Sequence, residues 1–129
     1  MAATLLDASA ILAALYEKPG FARVGDALGE GAATSAVNAG EVAAHLRTND
    51  WSAGQVADVF DDLSIEVVPF DRETALLSGA YRPRTSHLGL GLGGRACLAT
   101  ARRLRLPALT ADRAWERIDL RGVEIVVIR

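Results

Sequence analysis

The segment TLLDASAILAALYE, residues 4–17, decides how the chain begins to fold. An apolar triplet runs directly into Asp7, and apolar side chains then recur on one helical face until Pro19-Gly20 interrupts the pattern. An apolar run, a turn of small residues and a 3.6-residue period are typical of a buried strand followed by an amphipathic helix. We therefore predict a strand over 4–6 and a helix over 9–17.

The alternation of short apolar runs and helical segments continues to the end of the chain. Ser35, Ser52 and Asp71 are predicted to cap helices, and residues 82–92 to form a basic, glycine-containing loop. Strands separated by helical segments of this length are typical of βαβ units, which favours an α/β fold with a parallel sheet. The other predicted strands are 32–34, 65–69, 108–110 and 123–128, and the other predicted helices are 21–28, 36–48, 53–62, 72–81 and 93–104.

Length and composition indicate one globular domain over residues 1–129. Half of the residues are hydrophobic and 23% are charged, which excludes predominant disorder. No apolar run is long enough to span a membrane, and the N-terminus lacks the basic region of a signal peptide. The single cysteine, Cys97, excludes an internal disulfide and favours a reducing, cytoplasmic location.

Charge is unevenly distributed along the chain. Residues 1–81 hold twelve acidic and four basic side chains, whereas residues 82–129 hold four acidic side chains and ten Arg. Such an asymmetry favours a phosphate-binding face or a face for an acidic partner. Solvated helix faces are the alternative.

Three acidic residues stand where a parallel sheet would carry its functional site. Asp7 and Asp112 each follow an apolar strand, and Glu41 lies among small apolar residues in the helix after the second strand. The carboxyl ends of parallel strands form the binding crevice of open α/β sheets. Structural alternatives remain: Asp7 and Asp112 could cap the following helical turns, and Glu41 could be an exposed partner of His45.

Acidic side chains brought together at strand ends repel one another unless a cation compensates them. Oxygen ligands favour hard divalent ions such as Mg²⁺ or Mn²⁺. The chemistry typical of such a centre is metal-assisted attack of water on a phosphodiester.

Four blocks of the sequence appear in an order that is typical of one family. The blocks are LLDASAIL at 5–12, SAVNAGEV at 35–42, LGLGGRACLA at 90–99 and LTADRAW at 109–115. In this order the chain resembles the VapC-type toxins of the PIN-domain family, over nearly its whole length. The resemblance implies a PIN-like α/β/α sandwich and a Mg²⁺- or Mn²⁺-dependent endoribonuclease from a bacterial toxin–antitoxin pair.

The resemblance also assigns residues and partners. Asp7, Glu41 and Asp112 correspond to catalytic, metal-binding acids of the family, and Thr110 to a hydroxyl residue beside the last acid. A VapB-type antitoxin, an RNA substrate and a homodimer are the implied partners. The candidates for support or RNA contact are Ser9, Asn38, Arg95 and Thr110.

One position departs from the family pattern. The third block normally carries Asp directly before Arg-Ala, and Gly94 stands there instead. We therefore expect an intact fold with severely impaired cleavage, unless Asp26, Glu116 or water compensates. The alternative function is a non-catalytic PIN-like module that binds a VapB-type antitoxin or RNA.

A second motif is expected to be coincidental. Gly89, Gly91 and Gly94 match the G-x-G-x-x-G pattern of dinucleotide-binding folds. That pattern requires an apolar strand immediately before it, whereas this segment follows Arg82-Pro83-Arg84. Trp51 and Trp115 are expected to pack inside the fold.

Overall fold

Five parallel strands form one sheet in the computed structural model, which describes residues 1–129. The strands follow the order β3-β2-β1-β4-β5, so that the first strand is central. β1 pairs with β2 and β4, and the register aligns Leu5 with Ala33 and with Ala108. The strands are β1 (Thr4–Leu6), β2 (Ala32–Ser35), β3 (Ile65–Val68), β4 (Ala108–Thr110) and β5 (Ile125–Val127).

Helices cover both faces of the sheet and make an α/β/α sandwich, as predicted. The helices are α1 (Ala8–Leu15), α2 (Phe21–Glu30), α3 (Ala36–Thr48), α4 (Ala53–Asp62), α5 (Arg72–Ala80), α6 (Arg82–Thr85) and α7 (Leu92–Leu104). Two short 3-10 turns, Ser86–Leu88 and Arg113–Arg117, complete the structure. None of the helices is both long and apolar enough to cross a membrane.

The alternation of side chains along the strands divides the interior into two cores. Leu6 faces a core formed with α1, α2, α3 and α4, whereas Leu5 faces a core formed mainly with α7. Successive residues of a strand point to opposite faces, so a three-residue strand contributes to both cores. Every residue of β1, β2 and β4 is buried, as expected for strands covered on both sides.

Side-chain caps fix where the helices begin. The predicted caps Ser35, Ser52 and Asp71 each accept a hydrogen bond from a backbone N–H in the first turn. Ser52 forms a full capping box with Gln55. These caps satisfy backbone N–H groups that would otherwise lack a partner at the helix starts.

The prediction of a loop over residues 82–92 was wrong for most of its length. Arg82–Thr85 is a helical turn that continues from α5, and Ser86–Leu88 is a 3-10 turn. Pro83 is compatible with this turn because the first helical positions need no backbone N–H donor. The Thr85 hydroxyl donates to the carbonyl of Tyr81 and stabilises the turn.

Candidate functional site

A pocket opens where the carboxyl ends of β1, β2 and β4 meet, at the edge of the sheet predicted from the strand pattern. Its cavity volume is about 240 Å³. The six candidates that contribute to its lining are Asp7, Ser9, Asn38, Glu41, Gly94 and Asp112, and the other lining residues are Ala8, Gly89, Leu90, Gly91 and Trp115. Two candidates, Thr110 and Arg95, lie outside the lining.

Asp7 is the most buried carboxylate of the pocket. Its Oδ1 accepts hydrogen bonds from Ser9 Oγ at 2.7 Å and from the backbone N–H of Ala10 at 2.8 Å. Its Oδ2 accepts from Thr110 Oγ1 at 2.6 Å. Burial raises the pKa of Asp7, the nearby charge of Glu41 raises it further, and these hydrogen bonds oppose the shift without cancelling it.

Thr110 supports the acidic residues from beneath the pocket. Its hydroxyl is fully buried, donates to Asp7 and accepts the backbone N–H of Asp112 at 3.1 Å. Ser9 makes an equivalent link, because its hydroxyl donates to Asp7 and accepts the N–H of Ala111 at 2.9 Å. The two hydroxyl groups therefore tie the end of β4 to the end of β1.

Glu41 reaches the pocket from α3, held by one amide group. Asn38 Nδ2 donates to Glu41 Oε1 at 2.9 Å and to the carbonyl of Gly93 at 3.0 Å. Asn38 is itself buried, and its Oδ1 accepts from Ser35 Oγ at 2.6 Å. The structural alternative was that Glu41 is exposed and pairs with His45. Glu41 is indeed solvent-exposed, but it forms no ion pair with His45.

Asp112 is exposed and approaches the pocket from the turn after β4. Its Oδ1 accepts the backbone N–H of Ala114 at 3.0 Å and caps the 3-10 turn. Asp7 likewise caps α1. For both residues the capping alternative is therefore correct, and it coexists with a position in the pocket.

The wall of the pocket at Gly94 is apolar. A Cβ atom at this position would lie 2.9 Å from Leu90 Cγ and 3.4 Å from Trp115 Cζ2. Neither Asp26 nor Glu116 lines the pocket, so neither replaces the missing carboxylate there. Of the three proposed replacements for the missing carboxylate, water is the one left.

Arg95 follows Gly94 but does not line the cavity. Its Nη1 donates to the carbonyl of Leu90 at 3.2 Å, and its buried Nε has no hydrogen-bond partner. No acidic side chain pairs with it, so the structural alternative of an ion pair is not observed. Its contact with RNA phosphate stays a prediction.

Sequence reasoning missed two contributors to the site. Leu90 lines the cavity beside Gly94, and a Cβ atom at Gly93 would overlap the carboxylate of Glu41. The sequence feature that could have indicated close packing here is the pair of consecutive glycines in a helix, a residue type with low helix propensity. Trp115 is buried, as expected for a packing residue, and also forms part of the pocket wall.

The donor atoms of the pocket suit a hard divalent cation. The acidic ligands offer only oxygen, and a cation would relieve the repulsion between Asp7 and Glu41. No group of three or more His, Cys, Asp or Glu side chains is placed to bind one ion together. Mg²⁺ commonly keeps several waters and binds through one or two carboxylates, and a cavity of about 240 Å³ leaves room for such waters. The residues therefore fit a hydrated ion.

Comparison with known proteins identifies the fold. Residues 4–120 match the family model of the PIN domain. No curated protein matches the sequence.

Three solved structures with the same fold carry VapBC or toxin–antitoxin proteins. VapBC2 from Rickettsia felis bound to a promoter DNA fragment contains a chain of 14% identity, with a TM-score of 0.73 and 98% coverage of both chains. A toxin–antitoxin complex from Klebsiella pneumoniae gives 24% identity, a TM-score of 0.69 and 98% coverage of both. VapBC-5 from Mycobacterium tuberculosis gives 23% identity and a TM-score of 0.60, covering 99% of this chain and all of the other.

Proposed function

From the premise that this chain belongs to the PIN domain family, we propose that it is the toxin of a VapBC-type toxin–antitoxin system. In this proposal residues 1–129 form a single PIN domain that serves as a scaffold for endoribonuclease chemistry. The observation that carries the proposal is the convergence of Asp7, Glu41 and Asp112 on one pocket at the strand ends. The toxin–antitoxin origin of the similar structures supports it.

Each polar residue of the pocket has a role in the proposed reaction. Asp7, Glu41 and Asp112 would hold a hydrated Mg²⁺ or Mn²⁺ partly through waters, since no three acids are placed to bind one ion directly. The ion would supply Lewis acidity for attack of water on an RNA phosphodiester. Ser9 and Thr110 fix both oxygens of Asp7 and favour its charged form. Asn38 orients Glu41.

Gly94 is the reason to expect weak cleavage by this chain. The resemblance to VapC-type toxins places Asp at this position, and the structure has Leu90 and Trp115 against it. Loss of one carboxylate weakens cation binding and leaves the attacking water less well oriented. The alternative function, a non-catalytic module that binds a VapB-type antitoxin or RNA, is favoured by this same apolar wall and by the absence of a three-ligand group.

The proposed partners follow from the same reasoning. A VapB-type antitoxin is expected because the similar structures are VapBC or toxin–antitoxin complexes. RNA is the proposed substrate, and a homodimer the proposed assembly. The proposed location is the cytoplasm.

The decisive experiment is Mn²⁺-dependent cleavage of a mixed RNA pool by antitoxin-free protein. Gly94→Asp should cut clearly faster than the native chain, because it restores the fourth carboxylate. Gly94→Ala is the matched control, since it introduces the same Cβ atom without a charge. Asp7→Asn in the Gly94→Asp background should abolish cleavage.

The outcomes separate the two functions. Cleavage by Gly94→Asp alone supports a nuclease scaffold with a disabled site. Equal cleavage by the native chain and Gly94→Asp contradicts the role given to position 94. Cleavage by neither, together with tight binding of a co-expressed antitoxin, supports the non-catalytic module.

A further inference from the structure

Gly93 lies where α3 and α7 meet, directly beside the carboxylate of Glu41. It is buried, and a Cβ atom added there would overlap both carboxylate oxygens of Glu41. Gly93 does not have a positive φ, so its backbone conformation is open to any residue. The reason for glycine is therefore space, and the atoms that occupy this space are those of an acidic side chain.

Other helical glycines of this chain do not share this environment. A Cβ atom at Gly40 in α3 or at Gly79 in α5 would meet nothing within 4 Å. A Cβ atom at Gly94 would meet the apolar side chains of Leu90 and Trp115, so Gly93 is distinguished by its contact with a carboxylate. The contact lies in the first turn of α7, where the helix dipole favours a negative charge.

The amide of Asn38 joins the two sides of this contact. It donates one hydrogen bond to Glu41 and one to the carbonyl of Gly93, so it fixes the carboxylate relative to α7. Ser35 donates to the other end of the Asn38 amide and determines its orientation. Both N–H groups of the Asn38 side-chain amide are used in this way, so the amide holds the Glu41 carboxylate against α7.

We propose that Gly93 is a positioning residue for Glu41: its missing side chain lets the carboxylate lie against α7, where Asn38 holds it at the pocket. That this placement of the Glu41 carboxylate matters for metal binding rests on the proposed function, whereas the placement itself does not. Because Glu41 is exposed, its carboxylate can swing towards solvent when Gly93 is replaced. Gly93→Ala therefore folds normally but misplaces Glu41.

The test compares Gly93→Ala with Gly40→Ala, which adds the same methyl group at an exposed, uncrowded position of α3. The first readout is the side-chain amide resonances of Asn38 in metal-free protein. Gly93→Ala should shift them strongly and Gly40→Ala should leave them unchanged. In a Glu41→Ala background the effect of Gly93→Ala should become small, since no carboxylate remains to be displaced.

The second readout is Mn²⁺ affinity, followed by electron paramagnetic resonance in the native and Gly94→Asp backgrounds. Loss of an orienting partner typically weakens metal binding about 10- to 100-fold, and we expect this loss for Gly93→Ala but not for Gly40→Ala. Asn38 resonances that respond to Gly93→Ala equally with and without Glu41 would overturn the proposal. If neither background binds Mn²⁺, the proposed function fails, and the Asn38 resonances still decide whether Gly93 positions Glu41.

Discussion

Asp7 combines a structural and a chemical role in one carboxylate. Oδ1 caps α1 and both oxygens accept hydrogen bonds, yet burial still raises the pKa of the group. A charged group with a raised pKa destabilises the folded state at neutral pH. Ionisation of Asp7 therefore costs the folded state stability, as is common in functional sites.

Replacing Asp7 should recover the stability that its ionisation removes. We expect Asp7→Asn to raise the midpoint of thermal unfolding at pH 7 by about 2–5 °C in metal-free buffer, because the amide removes a group that is costly to ionise when buried. The folded state holds its proton to higher pH than the unfolded state, so native stability falls as pH rises above the ordinary pKa of Asp. The advantage of Asp7→Asn should therefore shrink as pH falls and vanish below the ordinary pKa of Asp. A lower midpoint for Asp7→Asn at pH 7 would contradict the direction of the shift.

Thr110, unlike Asp7, should stabilise the folded state, because its hydroxyl is the hydrogen-bond partner of two polar groups. Thr110→Val keeps the shape of the side chain but leaves Asp7 Oδ2 and the N–H of Asp112 without this partner. We expect a loss of about 1–3 kcal/mol in the free energy of unfolding measured in urea. Thr110→Ser retains the hydroxyl and should lose clearly less; equal losses would show that the methyl group matters more than the hydrogen bonds.

At the level of elements, the segment Gly89–Gly91 packs against the start of α7. The side chain of Leu90 lies in the space that a Cβ atom at Gly94 would need. A restored acidic residue therefore requires movement of this segment as well as a new carboxylate. Leu90 is the flexible side of the contact, so the movement is feasible.

This coupling can be measured as a double-mutant cycle. Gly94→Asp should destabilise the chain less in a Leu90→Ala background, with an interaction energy of about 0.5–3 kcal/mol in urea unfolding. Mn²⁺ affinity of the double variant should exceed that of Gly94→Asp. Additive changes in stability would mean that Leu90 does not oppose a side chain at position 94.

A second link between elements joins the ends of α5 and α7. Arg103 in α7 donates to Asp71 at 2.7 Å and to Thr74 at 2.8 Å. Hydrogen bonds from the side chain and backbone of Thr74, followed by Arg103, lower the pKa of Asp71 to about 2. The charge of Asp71 therefore favours the folded state.

The stabilisation from Asp71 should depend on pH. A lowered pKa means that the contribution is complete above the ordinary pKa of Asp and is lost as pH falls towards 2. Asp71→Asn, which can still cap α5, should unfold at a lower temperature than the native chain at pH 7 but at the same temperature near pH 2. Glu73→Gln is the control, since its ion pair with Arg72 is highly exposed and should contribute little. A deficit for Asp71→Asn that persists unchanged near pH 2 would assign the loss to capping.

Across the whole molecule, local patterns predicted most of the fold. The strand-to-acid steps at Asp7 and Asp112 and the caps at Ser35 and Ser52 depend on neighbouring residues, and these are visible in the sequence. The helical turn over Arg82–Thr85 was missed because the basic and glycine-containing character of residues 82–92 favoured a loop, although proline is accepted in a first turn.

Patterns among neighbouring residues could not predict contacts between distant segments. The strand order depends on pairing between segments far apart in the chain. The close approach of Glu41 to Gly93 and of Leu90 to Gly94 likewise exists only after α3 and α7 have packed. The acids of the pocket could therefore be proposed from sequence, whereas the residues that position or crowd them could not.

The pocket connects β1, α3 and the turn after β4, so an ion bound there should stabilise the whole fold. A ligand that binds only the folded state adds about 2.7 kcal/mol at one hundred times its dissociation constant. We expect Mn²⁺ to raise the midpoint of thermal unfolding of the native chain modestly, and that of Gly94→Asp further, with reversal by a chelator. Asp7→Asn should remove the response in both backgrounds while leaving the chain folded. A response that survives Asp7→Asn would place the ion elsewhere, and no response in Gly94→Asp would contradict a metal centre at the end of the sheet.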